Sequence, residues 1–208
     1  MKTWIAGSLA ACALGMAAGA GASTVLYSDF GPGQTYNSAV GYTIAGTGTA
    51  VAQSIGAEFS PSASGQVSQI ITPAFYITGT NEVVLDLWTD NGSGGLGTNL
   101  GEWDIFGVSG AGTVETIPVS GVSLTAGHEY WLTMSPGAGD TWEAWNPSIS
   151  ANGNLLVFTP SGTSTVFDVL PAFEFDATVP EPAAWALMLV GFAGLGATLR
   201  SRRKLAAA

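Results

Sequence analysis

The sequence predicts an all-β domain, an antiparallel β-sandwich with jelly-roll-like connections, set between two segments that take no part in the fold. Three observations carry this. From Thr24 to Asp176, short runs of β-branched and aromatic residues are separated by clusters of Gly, Asn, Ser and Pro. Apolar residues recur at every second position in Ile55, Ala57, Phe59, in Val83, Leu85, Leu87, in Tyr130, Leu132, Met134 and in Phe173, Phe175, and no window between the two ends has the 3.6-residue period of an amphipathic helix. Glycine is abundant, at 29 residues, and charged residues make up 10% of the chain, against about 25% in an average soluble protein.

Strands are expected at 24–28, 40–44, 50–59, 66–78, 82–89, 99–106, 113–119, 128–134, 154–159 and 172–177. Each alternating set places one face into a core. A domain of this length buries roughly 70% of its unfolded surface, enough to fold without cross-links. The single cysteine, Cys12, falls in the N-terminal apolar run, so residues 23–178 contain no thiol and no disulfide.

Charge is distributed unevenly. The five basic residues are Lys2, Arg200, Arg202, Arg203 and Lys204, while residues 23–178 hold 14 of the 15 acids and no Lys or Arg. With His128 counted as neutral, such a domain has no side-chain cation to pair its carboxylates, so salt bridges cannot hold it together. It also repels phosphate backbones, which excludes nucleic acid as a partner. Ca²⁺, which takes carboxylate and carbonyl oxygens, is the one cofactor this composition invites, although no dense ligand loop appears and no metal ligand is assigned.

The two ends read as addresses. Residues 1–22 have a short basic start at Lys2, an apolar run from Ile5 to Ala18 and small residues at Ala20-Gly21-Ala22, the layout of a secretory signal cleaved after Ala22. A competing reading takes Leu9-Ala10-Ala11-Cys12 as a lipoprotein box, with Cys12 lipidated; the apolar run before Cys12 is short for that. At the other end, Ala183 to Leu199 carries no charge and would span ~25 Å as a helix, near the lower limit for crossing a bilayer. The basic cluster Arg200, Arg202, Arg203 and Lys204 behind it would stay cytoplasmic, placing the acidic domain outside. The chain therefore divides into a signal (1–22), a secreted acidic domain (23–178), a tail (179–204) and terminal residues (205–208).

That tail, with Pro180-Glu181-Pro182, Trp185-Ala186, a glycine-rich apolar stretch and terminal arginines, resembles the PEP-CTERM sorting signal in its PEPxxWA variety. The resemblance implies export, a transient inner-membrane intermediate and processing by an exosortase, with Pro180, Glu181 and Pro182 as the recognised element and Trp185 as an interfacial landmark. The same tail is sometimes labelled the C-terminal domain of ice-binding proteins, a label that describes the tail and implies no ice activity. Within the domain, Gly41-Tyr42-Thr43, Ala52-Gln53-Ser54-Ile55, Leu85-Asp86-Leu87-Trp88-Thr89-Asp90, Leu124-Thr125-Ala126-Gly127-His128-Glu129-Tyr130-Trp131-Leu132 and Asp140-Thr141-Trp142 resemble the choice-of-anchor R family of bacterial surface domains. That resemblance implies a surface β-domain and supplies no catalytic residue.

Catalytic motifs fail on their own chemistry. Gly92-Ser93-Gly94-Gly95-Leu96-Gly97 fits G-x-G-x-x-G, but a strand is expected after it where a dinucleotide site needs a helix, so it reads as a hairpin loop. His128-Glu129 lacks the second histidine of a zincin, and Gly107-Val108-Ser109-Gly110-Ala111 has neither the turn nor the partners of a nucleophile elbow. The i, i+2 pairs Glu102 with Asp104 and Glu174 with Asp176 read as solvent-facing carboxylates. Thr47-Gly48-Thr49 is a single step where an ice-binding face needs an array. Trp142 and Trp145, beside Asp140 and Glu143, are the candidate glycan platform, weighed against filling the core.

The function expected from these residues is that of a non-enzymatic surface or extracellular-matrix protein of a Gram-negative bacterium, linked through family resemblance to exopolysaccharide or biofilm. A carbohydrate-binding module is the alternative, and a secreted hydrolase with an unrecognised site ranks third.

Overall fold

Thirteen strands appear in the computed structural model, which describes residues 23–178 together with Met188, Gly191 and Phe192 of the tail. In order they are β1 (Ser23–Ser28), β2 (Tyr42–Ala45), β3 (Ser54–Phe59), β4 (Gly65–Thr78), β5 (Glu82–Asp90), β6 (Leu96–Phe106), β7 (Thr113–Pro118), β8 (Ser123–Leu124), β9 (Tyr130–Pro136), β10 (Trp142–Trp145), β11 (Pro147–Thr159), β12 (Gly162–Pro171) and β13 (Glu174–Thr178). The N-terminal signal with Cys12 and the cleavage point, the tail's Pro-Glu-Pro and basic cluster and, apart from Met188, Gly191 and Phe192, the expected membrane helix lie outside the described residues. Among the described residues no helix is long and apolar enough to cross a membrane.

All pairings between strands are antiparallel, and they build two sheets. The first runs β1-β13-β4-β10-β2, with β7 and β8 also pairing to β4; the second runs β12-β11-β3-β9-β5-β6. Fourteen-residue β4 organises the first sheet. Its Val67 to Ile71 pair with β13 and its Ala74 to Thr78 with β10, while Gln69 to Ala74 pair with β7 along the opposite edge. The chain crosses between sheets at β2–β3, β3–β4, β4–β5, β6–β7, β8–β9, β9–β10, β10–β11 and β12–β13, the jelly-roll-like connectivity expected from the sequence.

The alternating sets form the core between the sheets. Ile55, Ala57, Val83, Leu85, Leu87, Leu132, Met134, Phe173 and Phe175 are fully buried. Phe59 stacks on Phe175 at 4.9 Å between ring centroids and meets Phe173 edge-on at 5.3 Å. Burial of one such side chain stabilises the fold by about 1.5–3 kcal/mol, and the core is large enough for Ser23–Val179 to stand as a compact unit of its own.

Three differences from the expected strands matter for function. Trp142–Trp145 is a strand, β10, in the interior of the first sheet. Gly162–Pro171 is the edge strand β12, invisible to the alternation rule because seven consecutive residues, 162 to 168, are exposed on both faces. Glu174 and Asp176 are buried, at 8% and 3% exposure, which corrects their reading as solvent-facing. They lie on β13 between β1 and β4, where Gln34 Nε2 donates to Glu174 Oε1 at 3.2 Å and Gln69 Nε2 to Asp176 Oδ2 at 2.8 Å. Glu102 and Asp104 are exposed.

Candidate functional site

Trp142 and Trp145 make no platform. Three residues apart on one strand, they point to opposite faces. Trp145 turns inward, has no exposed surface, and donates its indole Nε1–H to Thr72 Oγ1 at 2.7 Å. Trp142 is half-buried on the other face. Trp145 thus belongs to the core, which corrects its place in the candidate glycan site.

Glu143 shares the inward face with Trp145. It has no exposed surface, and neither carboxylate oxygen has a hydrogen-bond partner. Burial first, and then the negative charge of Glu115, push its carboxyl up to about 7. Asp29 behaves similarly. Burial raises it to about 7 although Oδ1 accepts the Phe173 amide at 2.6 Å, and Oδ2 has no partner. With no Lys or Arg between residues 23 and 178, these acids have no side-chain cation from that stretch to offset their desolvation.

The chemistry that faces solvent lies on the outer surface of the second sheet. Residues paired directly across antiparallel strands share a face, so the register defines a transverse row. Phe167 of β12 pairs with Asn154 of β11; Glu58 of β3 pairs with Trp131 of β9; Trp131 pairs with Trp88 of β5, and Trp88 with Asn99 of β6. The two halves join where Asn154 Nδ2 donates to Glu58 Oε2 at 2.6 Å. Every strand of the sheet contributes one residue. Six strands at 4.7–4.9 Å spacing make the row ~24 Å long.

Along this row Phe167 is 76% exposed, Asn154 and Asn99 are exposed, and Trp88 and Glu58 are half-buried. Trp131 has no exposed surface. Two hydrogen bonds fix the indoles: Trp88 Nε1 donates to Thr133 Oγ1 at 3.2 Å, and Trp131 Nε1 donates to Asp90 Oδ2 at 2.9 Å. At the Phe167 end a groove of about 280 Å³ opens between Phe167, Asn154, Glu58, Asn152, Glu129 and Tyr27. Aromatic rings, amides and carboxylates facing one open groove are suited to stacking on a ligand's apolar face while exchanging hydrogen bonds with its hydroxyls.

Beside Trp131, carboxylate oxygens of Glu58, Asp90 and Glu129 lie within 4.8 Å of one another. The Trp131 indole, followed by the backbone amides of Gly92, Gly94 and Gly95, holds Asp90 below the usual carboxylate range. Three carboxylates by themselves fall short of the six to eight oxygens Ca²⁺ takes.

The glycine-rich run is a hairpin loop between β5 and β6, as expected from its sequence. Gly92 and Gly94 sit at φ of 80° and 73°, left-handed backbone that glycine adopts without strain, and Asn91 N–H donates to Gly95 O at 3.0 Å. His128 is exposed in the turn before β9. The sequence reading missed Phe167, Asn154 and Trp88. Their only local signal was an aromatic among small polar residues in Thr163-Ser164-Thr165-Val166-Phe167, because cross-strand register assembles the row.

The sorting residues Pro180, Glu181, Pro182 and Trp185 and the basic cluster lie outside the described residues, and sequence comparison bears on them directly. No curated protein matches the chain. Residues 178–204 match the family model described as the PEP-CTERM protein-sorting motif. Attached to an acidic β-sandwich, this motif marks the chain as an exported, exosortase-sorted extracellular protein carrying a PEP-CTERM signal.

Proposed function

We propose that this is a non-enzymatic component of the cell surface or extracellular matrix, acting in the exopolysaccharide or biofilm layer once an exosortase has released it from the inner membrane. The observation that carries the reading is the PEP-CTERM motif at residues 178–204 behind a domain with 14 acids and no Lys or Arg. In the finer reading the signal is of the PEPxxWA variety, with Trp185 at the membrane interface, and the domain is of the choice-of-anchor R kind. The non-enzymatic reading rests on the sequence, whose single histidine leaves no hydrolytic triad and no zincin pair.

The test is made in the host. Glu181→Ala combined with Pro182→Ala should leave full-length protein in the inner-membrane fraction, whereas the parent chain is processed and leaves it. Normal release of the double variant would remove the sorting reading. A carbohydrate-binding role is the second reading. Its site is the outer face of the second sheet, favoured by the largely exposed ring of Phe167 beside Asn154 and Glu58.

A further inference from the structure

The geometry points to the outer face of the second sheet as a binding face for neutral polysaccharide, with Phe167 as its aromatic contact and the row from Asn154 and Glu58 to Trp88 and Asn99 as its floor. The inference rests on the extracellular-matrix reading and names the ligand class.

Four observations converge on it. First, Phe167 is the most exposed large apolar residue described, at 76%, and its cross-strand partner is the polar Asn154. On the same strand Leu170, which belongs to the core, is only 5% exposed. A phenyl ring held in water on a regular strand has a ready partner in the apolar C–H face of a sugar ring.

Second, the polar groups next to the ring are those that pair with hydroxyls. Amides donate and accept, carboxylates accept, and a sugar hydroxyl does both. Asn154, Asn152, Glu58 and Glu129 surround the groove beside Phe167, and Asn99 closes the far end of the row, where its Nδ2 donates to Asp86 Oδ1 at 3.0 Å.

Third, the shape suits a polymer. The row crosses all six strands, ~24 Å at the usual strand spacing. A groove of about 280 Å³ at one end, with half-buried Trp88 and exposed Asn99 further along the row, accommodates a chain of sugar units better than one small molecule.

Fourth, charge selects among polysaccharides. Glu58, Asp86, Asp90, Glu102 and Glu129 all lie on or beside this face, and no Lys or Arg occurs between residues 23 and 178 to receive a uronate or sulfate. Polyanionic chains are repelled, and uncharged glycans are not.

Affinity gel electrophoresis of residues 23–178 tests the inference, since this compact unit carries its own core and its acidity drives migration. The gels contain hydroxyethyl cellulose, a soluble β-1,3-glucan or galactomannan as neutral probes, and alginate as the anionic one. At least one neutral probe should retard the domain, and alginate should not. Phe167→Ala should weaken the retained interaction about three- to tenfold, the range of one aromatic contact, with the thermal midpoint unchanged. Phe106→Ala removes a ring of comparable exposure three rows away on β6 and should change nothing.

Migration unaffected by every neutral probe would overturn the inference, and so would retention by alginate. Unchanged binding in Phe167→Ala, or equal losses in the two Phe variants, would do the same by removing the assigned ring. These outcomes are read on purified protein and do not depend on sorting, so they separate failure of the binding face from failure of the exosortase reading.

Discussion

The indole of Trp145 donates to the hydroxyl of Thr72 across 2.7 Å, and that hydroxyl in turn donates to the carbonyl of Ala172 at 2.9 Å, with all three residues fully buried. This relay ties β10 to β4 and to the entry of β13. Trp145→Ala should lower stability by about 3–5 kcal/mol, the cost of emptying an aromatic site in a core. Trp145→Phe keeps most of the packing and removes the donor, and should cost about 1 kcal/mol through the lost hydrogen bond in addition to the smaller ring. Chemical denaturation of the three proteins checks the order; a Trp145→Ala midpoint equal to the parent's would contradict the core assignment.

The register also accounts for what could be read from the sequence. The sets around Ile55, Val83, Tyr130 and Phe173 are legible because one face of each strand enters the core, so apolar residues occur at every second position. In Trp142-Glu143-Ala144-Trp145 the pattern misleads, because an acid and a core tryptophan share the inward face. An isolated Glu at such a position reads as solvent-facing, and only its neighbours on β4 and β7 show otherwise. β12 gives no alternation at all, since an edge strand exposed on both faces has no apolar side to repeat. The row from Phe167 to Asn99 draws on six strands spread between positions 58 and 167, and nothing local in the chain announces which residues lie across from one another.

Glu143 and Asp29 set the pH dependence. Both have folded-state values near 7, above the ordinary carboxyl range, so the folded protein binds protons more tightly than the unfolded chain. Their contribution to stability is fully present below about pH 4, declines as pH rises through 7 and is then lost. The domain should melt at a higher temperature at pH 5 than at pH 8. Each tenfold difference in proton affinity is worth about 1.4 kcal/mol. Glu143→Gln, which cannot ionise beside Glu115, should therefore flatten the profile and raise the midpoint at pH 8 relative to the parent. A parent whose midpoint rises between pH 5 and pH 8 would contradict the burial of these acids.

Residues 23–178 contain no cysteine, and their stability resides in the core between the sheets. Expressed alone, this segment should give a β-type circular dichroism spectrum and a thermal transition unchanged by reducing agent. A helical spectrum would contradict the architecture.

We propose that the β-sandwich domain is exported and then separated from its tail by an exosortase acting near Pro180-Glu181-Pro182. Intact-mass analysis of the native protein, recovered from its own host with and without the exosortase, tests it most directly. The account predicts that the extracellular form lacks the apolar stretch and the Arg200 to Lys204 cluster when the exosortase is present, and that the full tail stays attached in the inner membrane when it is absent. An identical mass and location in both strains would contradict it.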